Sequence, residues 1–429
     1  MRAWRAIESV RLPGRGGPVV VFDSVTRRRV RVGPDIGKAK LYACGITPYD
    51  ATHLGHAFTY VSIDLLHRVW LDAKLDVDYA QNITDVDDPL LERAAATGVE
   101  WRELAASQIK LFRSDMEALR VVPPGVYRGV VESMDDVVAL VAELAQRGAV
   151  YQVGDGCPDW YFSVESAPEF LAGRDLESDL ATFAERGGDP DRPGKRHPLD
   201  PLVWRAERPG EPSWAAPVSA AIPAPPDSRG RPGWHVECAA IALKALGADF
   251  DVQAGGKDLA FPHHPMCAAQ ATQLTGQRFA KAYLHVGMVG LDGEKMSKSR
   301  GNLIFVHKLL AGGADPMAVR LLLLDHHYRS DWEYTADELP RAALRLERWR
   351  SAARVAGNAA SATGQFDPSA GIRYAGELLN GVRTALADDL DAPTALAAVD
   401  RWAKKPGTNP AATALAVRVV DALLGINLG

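Results

Sequence analysis

Hydrophobic and polar positions along this chain follow several distinct regimes. Lys40-Leu41-Tyr42-Ala43-Cys44 is a short apolar run closed by Gly45 and a polar turn, and from about Leu54 to Trp70 apolar residues recur at helical spacing. The pattern predicts strand, loop, helix. Asp76 to Ile83 alternates in the strand manner, and Asp87-Asp88-Pro89 is a helix start with acids at the cap and proline in the first turn. A βαβ opening follows, and with it a parallel sheet covered by helices. Helical patterning runs from Met134 to Gly148, after the boundary at Pro123-Pro124. From Tyr151 to about Gly233 glycine and proline are frequent, with breakers at Glu185-Arg186-Gly187-Gly188-Asp189-Pro190 and at Pro223 to Pro226. That stretch predicts an irregular insertion. Regular patterning returns with a helix near Val236 to Leu246, a strand near Phe250 to Gln253 and a helix after Pro262, so a doubly wound α/β domain is expected in two sequence halves. Beyond Asp315 the pattern predicts helices alone. Leu339, Ala342, Leu346, Trp349 and Ala353 recur at spacings of 3 and 4, Asp391 caps a helix with Pro393 in its first turn, and Ala411 to Leu424 forms a last apolar-faced helix.

Composition narrows the classes. The 429 residues, 47% hydrophobic and 24% charged, exclude a disordered, collagenous or coiled-coil chain and suggest about three units at roughly 150 residues each. A formal charge of -5 gives no global attraction to polyphosphate, so nucleic-acid binding would need a local patch. The longest apolar runs, such as Val137 to Ala142, stop far short of the roughly 18 residues a membrane span needs. With no signal-like apolar stretch at Met1 to Glu8, a cytoplasmic location is expected. Cys44, Cys157, Cys238 and Cys267 are too sparse for a disulfide framework and read as ligands or buried residues.

Three groups of residues carry chemistry. Thr52-His53-Leu54-Gly55-His56 lies at the strand-to-helix turn, where unpaired backbone N–H groups, the positive end of the helix and two imidazoles on one side suit a triphosphate. Alone, the pair reads more readily as two partly exposed helix-cap histidines. Lys295-Met296-Ser297-Lys298-Ser299 is a glycine-flanked loop whose two ammonium groups can close over phosphate; alone, it is a solvated basic loop. Cys44, Cys238 and the histidines of Phe261-Pro262-His263-His264 supply the thiolate and imidazole donors that zinc favours, with buried cysteines and a core histidine as the bland alternative.

Taken in this order, the histidine and Lys-Met-Ser-Lys-Ser motifs resemble the signatures of class I aminoacyl-tRNA synthetases, and Trp234-His235-Val236-Glu237-Cys238 with Gly255-Gly256-Lys257-Asp258 and Phe261-Pro262-His263-His264 resembles the cysteinyl branch. The resemblance covers most of the chain, from Leu41 to Asp391. It implies a class I synthetase-like doubly wound (Rossmann) sheet: residues 1–37 as an N-terminal extension, 38–119 and 231–309 as the two catalytic halves, 120–230 as an inserted connective region, 310–335 as a stem and 336–429 as the bundle. It also implies zinc on Cys44, Cys238 and His263, catalytic roles for His53, His56, Lys295 and Lys298, and a pocket for cysteine and adenylate. Cys44, Gly45, Ile46, Thr47, Thr59, Asn82, Ile83, Thr84, Trp234, Gly256, Lys257, Asp258 and Val289 would line that pocket. Structural readings stay open for Thr59 as a helix-face residue, Asn82 and Thr84 as a strand-end turn, and Trp234 as core. A thiol ionises readily on zinc and a serine hydroxyl does not, which favours cysteine as substrate.

Among relatives, the chain departs from cysteinyl-tRNA synthetases. His264 is followed by Pro265-Met266-Cys267 where those enzymes carry Glu-Asn-Glu, and Gly45-Ile46-Thr47-Pro48-Tyr49-Asp50 replaces their Gly-Pro-Thr-Val-Tyr-Asp. This loop and the Glu185 to Pro190 segment resemble the mycothiol cysteine ligases, which join cysteine to the amine of glucosaminyl-inositol. That resemblance implies two ATP-dependent half-reactions with magnesium, small-molecule partners, no nucleic acid and a monomer. Residues 336–429 hold 11 Lys plus Arg against 10 Asp plus Glu, with no basic stripe for a phosphate backbone, and with the sequence ending at Gly429 after the bundle no anticodon-binding domain is expected. A cysteinyl-tRNA synthetase without that domain is the alternative. Two departures remain: Ala254 stands where relatives have a first glycine, and Cys267 is either a fourth ligand or a packed thiol. The base for the acceptor amine is open, with Asp251 or an insertion residue as candidates.

Overall fold

Val, Ile, Leu, Tyr and Ala fill short runs that are buried on both faces, as a parallel sheet covered by helices requires. The computed structural model describes all residues except 7–9, 155–157, 224, 226, 292–293, 296–302, 360–367 and 407–408. Its central sheet comprises β1 (Lys38–Ala43), β2 (Asp76–Ile83), β3 (Val126–Gly129), β4 (Phe250–Gly256) and β5 (Ala280–Val286), in the order β5-β4-β1-β2-β3 and parallel throughout. From β1 the chain winds outward through α1 (Leu54–Asp72), then returns through α2 (Trp234–Leu246) to place β4 on the other side of β1, and α3 (His263–Thr275) links β4 to β5. The order of strands therefore reverses between β1 and β4. Leu41 and Ala43 pack into the core on the α1 face, while Tyr42 and Cys44 point into the core shared with Val236 and Ile241 of α2 and Met266 of α3.

The strand Val126–Gly129 pairs with β2, so the parallel sheet extends past residue 119 into the stretch that the sequence division assigns to the insertion. The insertion itself is less irregular than its glycines and prolines suggest. Val150–Val153, Asp159–Phe162, Leu202–Ala206, Arg229–Pro232 and Trp214–Ala215 form a five-stranded antiparallel sheet in that spatial order. Strands of two to five residues are too short to show alternation against such a background. The expectation of helices alone beyond Asp315 is corrected likewise: Trp332–Tyr334 pairs with Val289–Leu291, which also pairs with Glu294–Lys295.

The helices Pro316–Leu324, Glu338–Ala359, Pro368–Ala387, Ala392–Lys404 and Pro410–Leu424 form the helical end. Asp391 caps its helix by accepting from Thr394 N at 3.0 Å. Among the described residues no helix is long and apolar enough to cross a membrane.

A buried ionic junction joins this end to the catalytic half. Asp64 on α1 takes Arg68 Nε at 2.6 Å, Arg320 Nη2, and Val122 N at 2.8 Å. Arg320 also donates to the carbonyls of Leu424 (2.6 Å) and Leu119 (2.7 Å), and Arg68 to those of Asp421 (3.0 Å) and Arg120 (2.6 Å). Burial raises the Asp64 carboxyl, but the two guanidiniums outweigh it and hold the pKa at about 2. Asp64→Ala would strand two guanidiniums in the interior, and a loss of about 3–5 kcal/mol is expected. Urea denaturation at pH 7 measures it; a loss near zero would mean the junction contributes nothing net.

Candidate active site and metal cluster

Parallel strands that turn to opposite faces open a crevice at their carboxyl ends, and Cys44, Cys238 and His263 among the residues singled out above converge there. Cys44 follows the last residue of β1, and its N–H donates to Ala254 O of β4 at 3.0 Å. Cys238 comes from the second turn of α2 and His263 from the first residue of α3. Their ligand atoms all lie within 4.8 Å of one another, and all three residues are buried. Two thiols and an imidazole so close are poorly served by their own protons. The Cys238 thiol is pushed well up, first by its hydrogen bond with Cys44 and then by burial, whereas burial and the neighbouring His235 hold His263 neutral. This donor set has the softness and the neutral imidazole that zinc selects.

Around the cluster, Trp234 stacks on His263 with ring centroids 4.3 Å apart, and His235 Nδ1 lies 3.0 Å from His263 Nδ1. Cys267, one turn beyond His263, donates to His235 O at 3.2 Å and lies 3.7 Å from His263 Nε2. It falls outside the three-residue cluster and packs as a buried thiol. The sequence offers His264 as a donor beside His263 but gives it no role of its own. Its Nε2 is 3.2 Å from Cys44 Sγ and its Nδ1 is 2.7 Å from His285 Nε2, with His285 in turn bonded to Ser24 Oγ. The adjacent histidines were visible in the sequence, but only the fold shows that they serve different sulfur and nitrogen partners.

The loops after β1 and β2 are stitched together. Asn82 Oδ1 accepts from Gly45 N (2.8 Å) and Tyr42 OH (3.0 Å), Asn82 Nδ2 donates to Thr84 Oγ1 (3.2 Å), and Thr84 N donates to Ile46 O (3.0 Å). A side chain on Gly45 would overlap the Asn82 carbonyl, so glycine is required by close approach. Ile83 ends β2 beneath these residues, and Tyr49 N bonds to Thr47 O at 2.9 Å.

His53 caps α1, its Nδ1 accepting from Gly55 N at 3.1 Å, and its ring stacks on His56 at 3.8 Å. Burial lowers the His56 pKa to about 4, so the ring is neutral at pH 7. Leu54 N donates to Ile304 O (2.9 Å) and Val306 N to Thr52 O (3.0 Å), which ties the histidine turn to the chain just after residues 296–302. Lys298 lies outside the described residues, and Lys295 is described as backbone of the strand Glu294–Lys295. Thr59 Oγ1 donates to Gly55 O at 3.0 Å and sits opposite Gly256, and the Asp258 carboxylate occupies the space a side chain at Gly256 would need. Lys257 pairs with Asp331 at 2.5 Å, and Val289 is buried in its strand. Asp251 is corrected as a candidate base. It sits at the opposite end of β4, where it accepts from Lys40 N (2.8 Å) and Lys281 Nζ (3.0 Å).

The chain matches the family of "tRNA synthetases class I (C) catalytic domain" over residues 33–344. Its fold is similar to Mycobacterium tuberculosis methionyl-tRNA synthetase bound by methionyl-adenylate, with TM-score 0.65 and 16% identity over 90% of this chain and 92% of that one. It is 55% identical over 432 residues to a Thermobispora bispora protein named L-cysteine:1D-myo-inositol 2-amino-2-deoxy-alpha-D-glucopyranoside ligase, covering 100% of both chains. A Thermobifida fusca protein of the same name is 56% identical over 435 residues, covering 100% of this chain and 99% of that one. The chain thus belongs to the class I synthetase-type catalytic family and, within it, to the mycothiol cysteine ligases, a family of bond-forming enzymes.

The buried imidazoles set an acid limit. Burial lowers His56, His67 and His285 each to about 4 in the fold, below the unfolded value near 6.5. Between those values the unfolded chain binds more protons, so stability is full above pH 6.5 and falls as pH drops toward 4. Each histidine contributes up to about 1.4 kcal/mol per pH unit in that window. Urea midpoints at pH 7, 6 and 5 should fall progressively, and a flat profile would contradict the burial assignment.

Proposed function

We propose that this chain ligates L-cysteine to the amine of glucosaminyl-inositol at the expense of ATP, through a cysteinyl adenylate, releasing pyrophosphate and AMP. The observation that carries this reading is the buried Cys44–Cys238–His263 set at the strand-order reversal, beside the stacked His53 and His56. The full-length identity to proteins bearing the ligase name supports the choice of acceptor.

Cys44, Cys238 and His263 would hold zinc, which when bound supplies a soft Lewis acid for a thiolate and so favours cysteine over serine. Trp234, stacked on His263, walls the amino-acid side of the pocket, and Thr47 and Thr84 lie on the loops that face it. In the first half-reaction a cysteine carboxylate oxygen bonds to the α-phosphorus of magnesium-bound ATP as the bond to the β-phosphate bridge breaks, and pyrophosphate leaves. His53 and His56 orient the phosphates at the start of α1, where the helix adds its positive end. His56, neutral by burial, acts as a hydrogen-bonding group and not as a cation. Asp258 accepts from the ribose, with Thr59, Gly256 and Lys257 about it and Val289 on the adenine side. Lys295 and Lys298 neutralise charge growing on the leaving phosphates. In the second half-reaction the sugar amine attacks the activated carbonyl, the carbonyl–phosphate oxygen bond breaks, AMP departs and the nitrogen loses a proton. The near-neutral helical end, 11 basic against 10 acidic residues, supports a small amine over a polyanionic acceptor.

The deciding assay is cysteine- and ATP-dependent AMP release by zinc-loaded protein, run with glucosaminyl-inositol and with tRNA for cysteine. A cysteinyl amide formed only with the amino sugar is the expected outcome; cysteinyl-tRNA as sole product would overturn the reading. Lys298→Ala should lower cysteine-dependent ATP–pyrophosphate exchange by about 100-fold or more with zinc content unchanged. Cys238→Ala should abolish stoichiometric zinc, read by metal analysis, and with it the preference for cysteine.

A further inference from the structure

Glu185-Arg186-Gly187-Gly188-Asp189-Pro190 has no part in the roles above. The segment closes the helix Leu176–Glu185 of the inserted unit. Gly187 adopts φ +85°, and a side chain at Gly188 would collide with the Phe183 ring, so both positions demand glycine. Asp189 takes the Tyr161 hydroxyl at 2.5 Å and Lys195 Nζ at 3.0 Å, which anchors the loop to the inserted sheet. From this anchored loop Arg186 reaches the catalytic half. Its Nη1 donates to the carbonyl oxygens of both Asp258 and Phe261.

The first carbonyl lies within the single turn Lys257–Ala260 between β4 and α3, and the second just past its end. The turn carries Asp258, and two residues after Phe261 comes His263 of the metal cluster. A four-residue turn satisfies few of its own carbonyls and holds no fixed shape unaided. Both bonds come from one guanidinium nitrogen, whose charge-assisted N–H groups are fixed in the guanidinium plane, which water or a neutral side chain does not reproduce. The contact is reinforced where Phe170 stacks on Phe261 and the Arg174 guanidinium lies 4.6 Å from the Phe261 ring.

We propose that Arg186 is a positioning residue: held by the inserted unit, it fixes the turn that sets Asp258 and His263 in one pocket. This rests on the nucleotide and metal roles proposed above. Four measurements on Arg186→Ala test it: binding of a non-hydrolysable ATP analogue, release of zinc to a colorimetric chelator, cysteine-dependent ATP–pyrophosphate exchange, and Tm. The expected result is an analogue Kd and an ATP KM raised about tenfold or more, faster zinc release, and a Tm close to wild type. Arg186→Lys, which keeps the charge without the planar donor geometry, should recover part of the loss. Wild-type nucleotide affinity and zinc release, or losses that merely track a lowered Tm, would overturn the proposal. Should Arg186→Ala not fold, Arg186→Gln is measured in its place against the same outcomes. If the unaltered protein shows no cysteine-dependent exchange, the ligase reading fails, while analogue binding and zinc release still decide the role of Arg186.

Discussion

The reversal of strand order between β1 and β4 is the constraint on which the rest of the molecule depends. Their crossovers leave toward opposite faces, α1 to one side and α3 to the other, so no connection covers the carboxyl ends of the two neighbouring strands. The crevice there receives Cys44 from one strand, Gly256 and Asp258 from the other, and the starts of both helices. The Cys44 N–H bond to Ala254 O locks the two edges in register, so that a residue just past one strand sits at a fixed place against the next.

Burial then decides the chemistry of what the crevice holds. The imidazoles of His56, His263 and His264 are all kept neutral by desolvation, and neutral nitrogen is what metal coordination and hydrogen bonding require. The hydrogen bond with Cys44, and then burial, raise the Cys238 thiol, so the cluster resists ionisation; a metal ion held there would offset that cost and couple thiolate formation to its own binding. The price of so dry a site is sensitivity to acid.

Two charged junctions hold the surrounding units to this centre, and they differ in kind. The Asp64–Arg68–Arg320 group is sealed, with the two guanidiniums and the carboxylate satisfied by each other and by backbone partners, and it joins α1 to the helical end. Arg186 is partly buried and engages the carbonyls of Asp258 and Phe261. The first resembles a core contact made of charge; the second links the inserted unit to the segment between β4 and α3.

Periodic patterns long enough to repeat were legible in the sequence. β2 was found at Asp76–Ile83, α1 to within two residues of its end, and the Asp391 cap as it stands, because each depends on local spacing and capping. The Cys44, Cys238 and His263 set was reached through resemblance, since ligands some 200 residues apart have no local signature. Strands of two to five residues in the insertion and at Trp332–Tyr334 were hidden, because their pairing energy comes from distant partners and not from their own residues. By itself the sequence marked several of the long helices and buried strands, Leu54–Asp72 and Asp76–Ile83 among them, and the side chains that could hold phosphate or metal. Tertiary structure alone decided that Asp251 lies at the wrong end of β4, that Cys267 bonds to a backbone carbonyl outside the cluster, and that Arg186 grips the loop bearing Asp258. Those outcomes depend on distances across the sheet and between units, which no local pattern encodes.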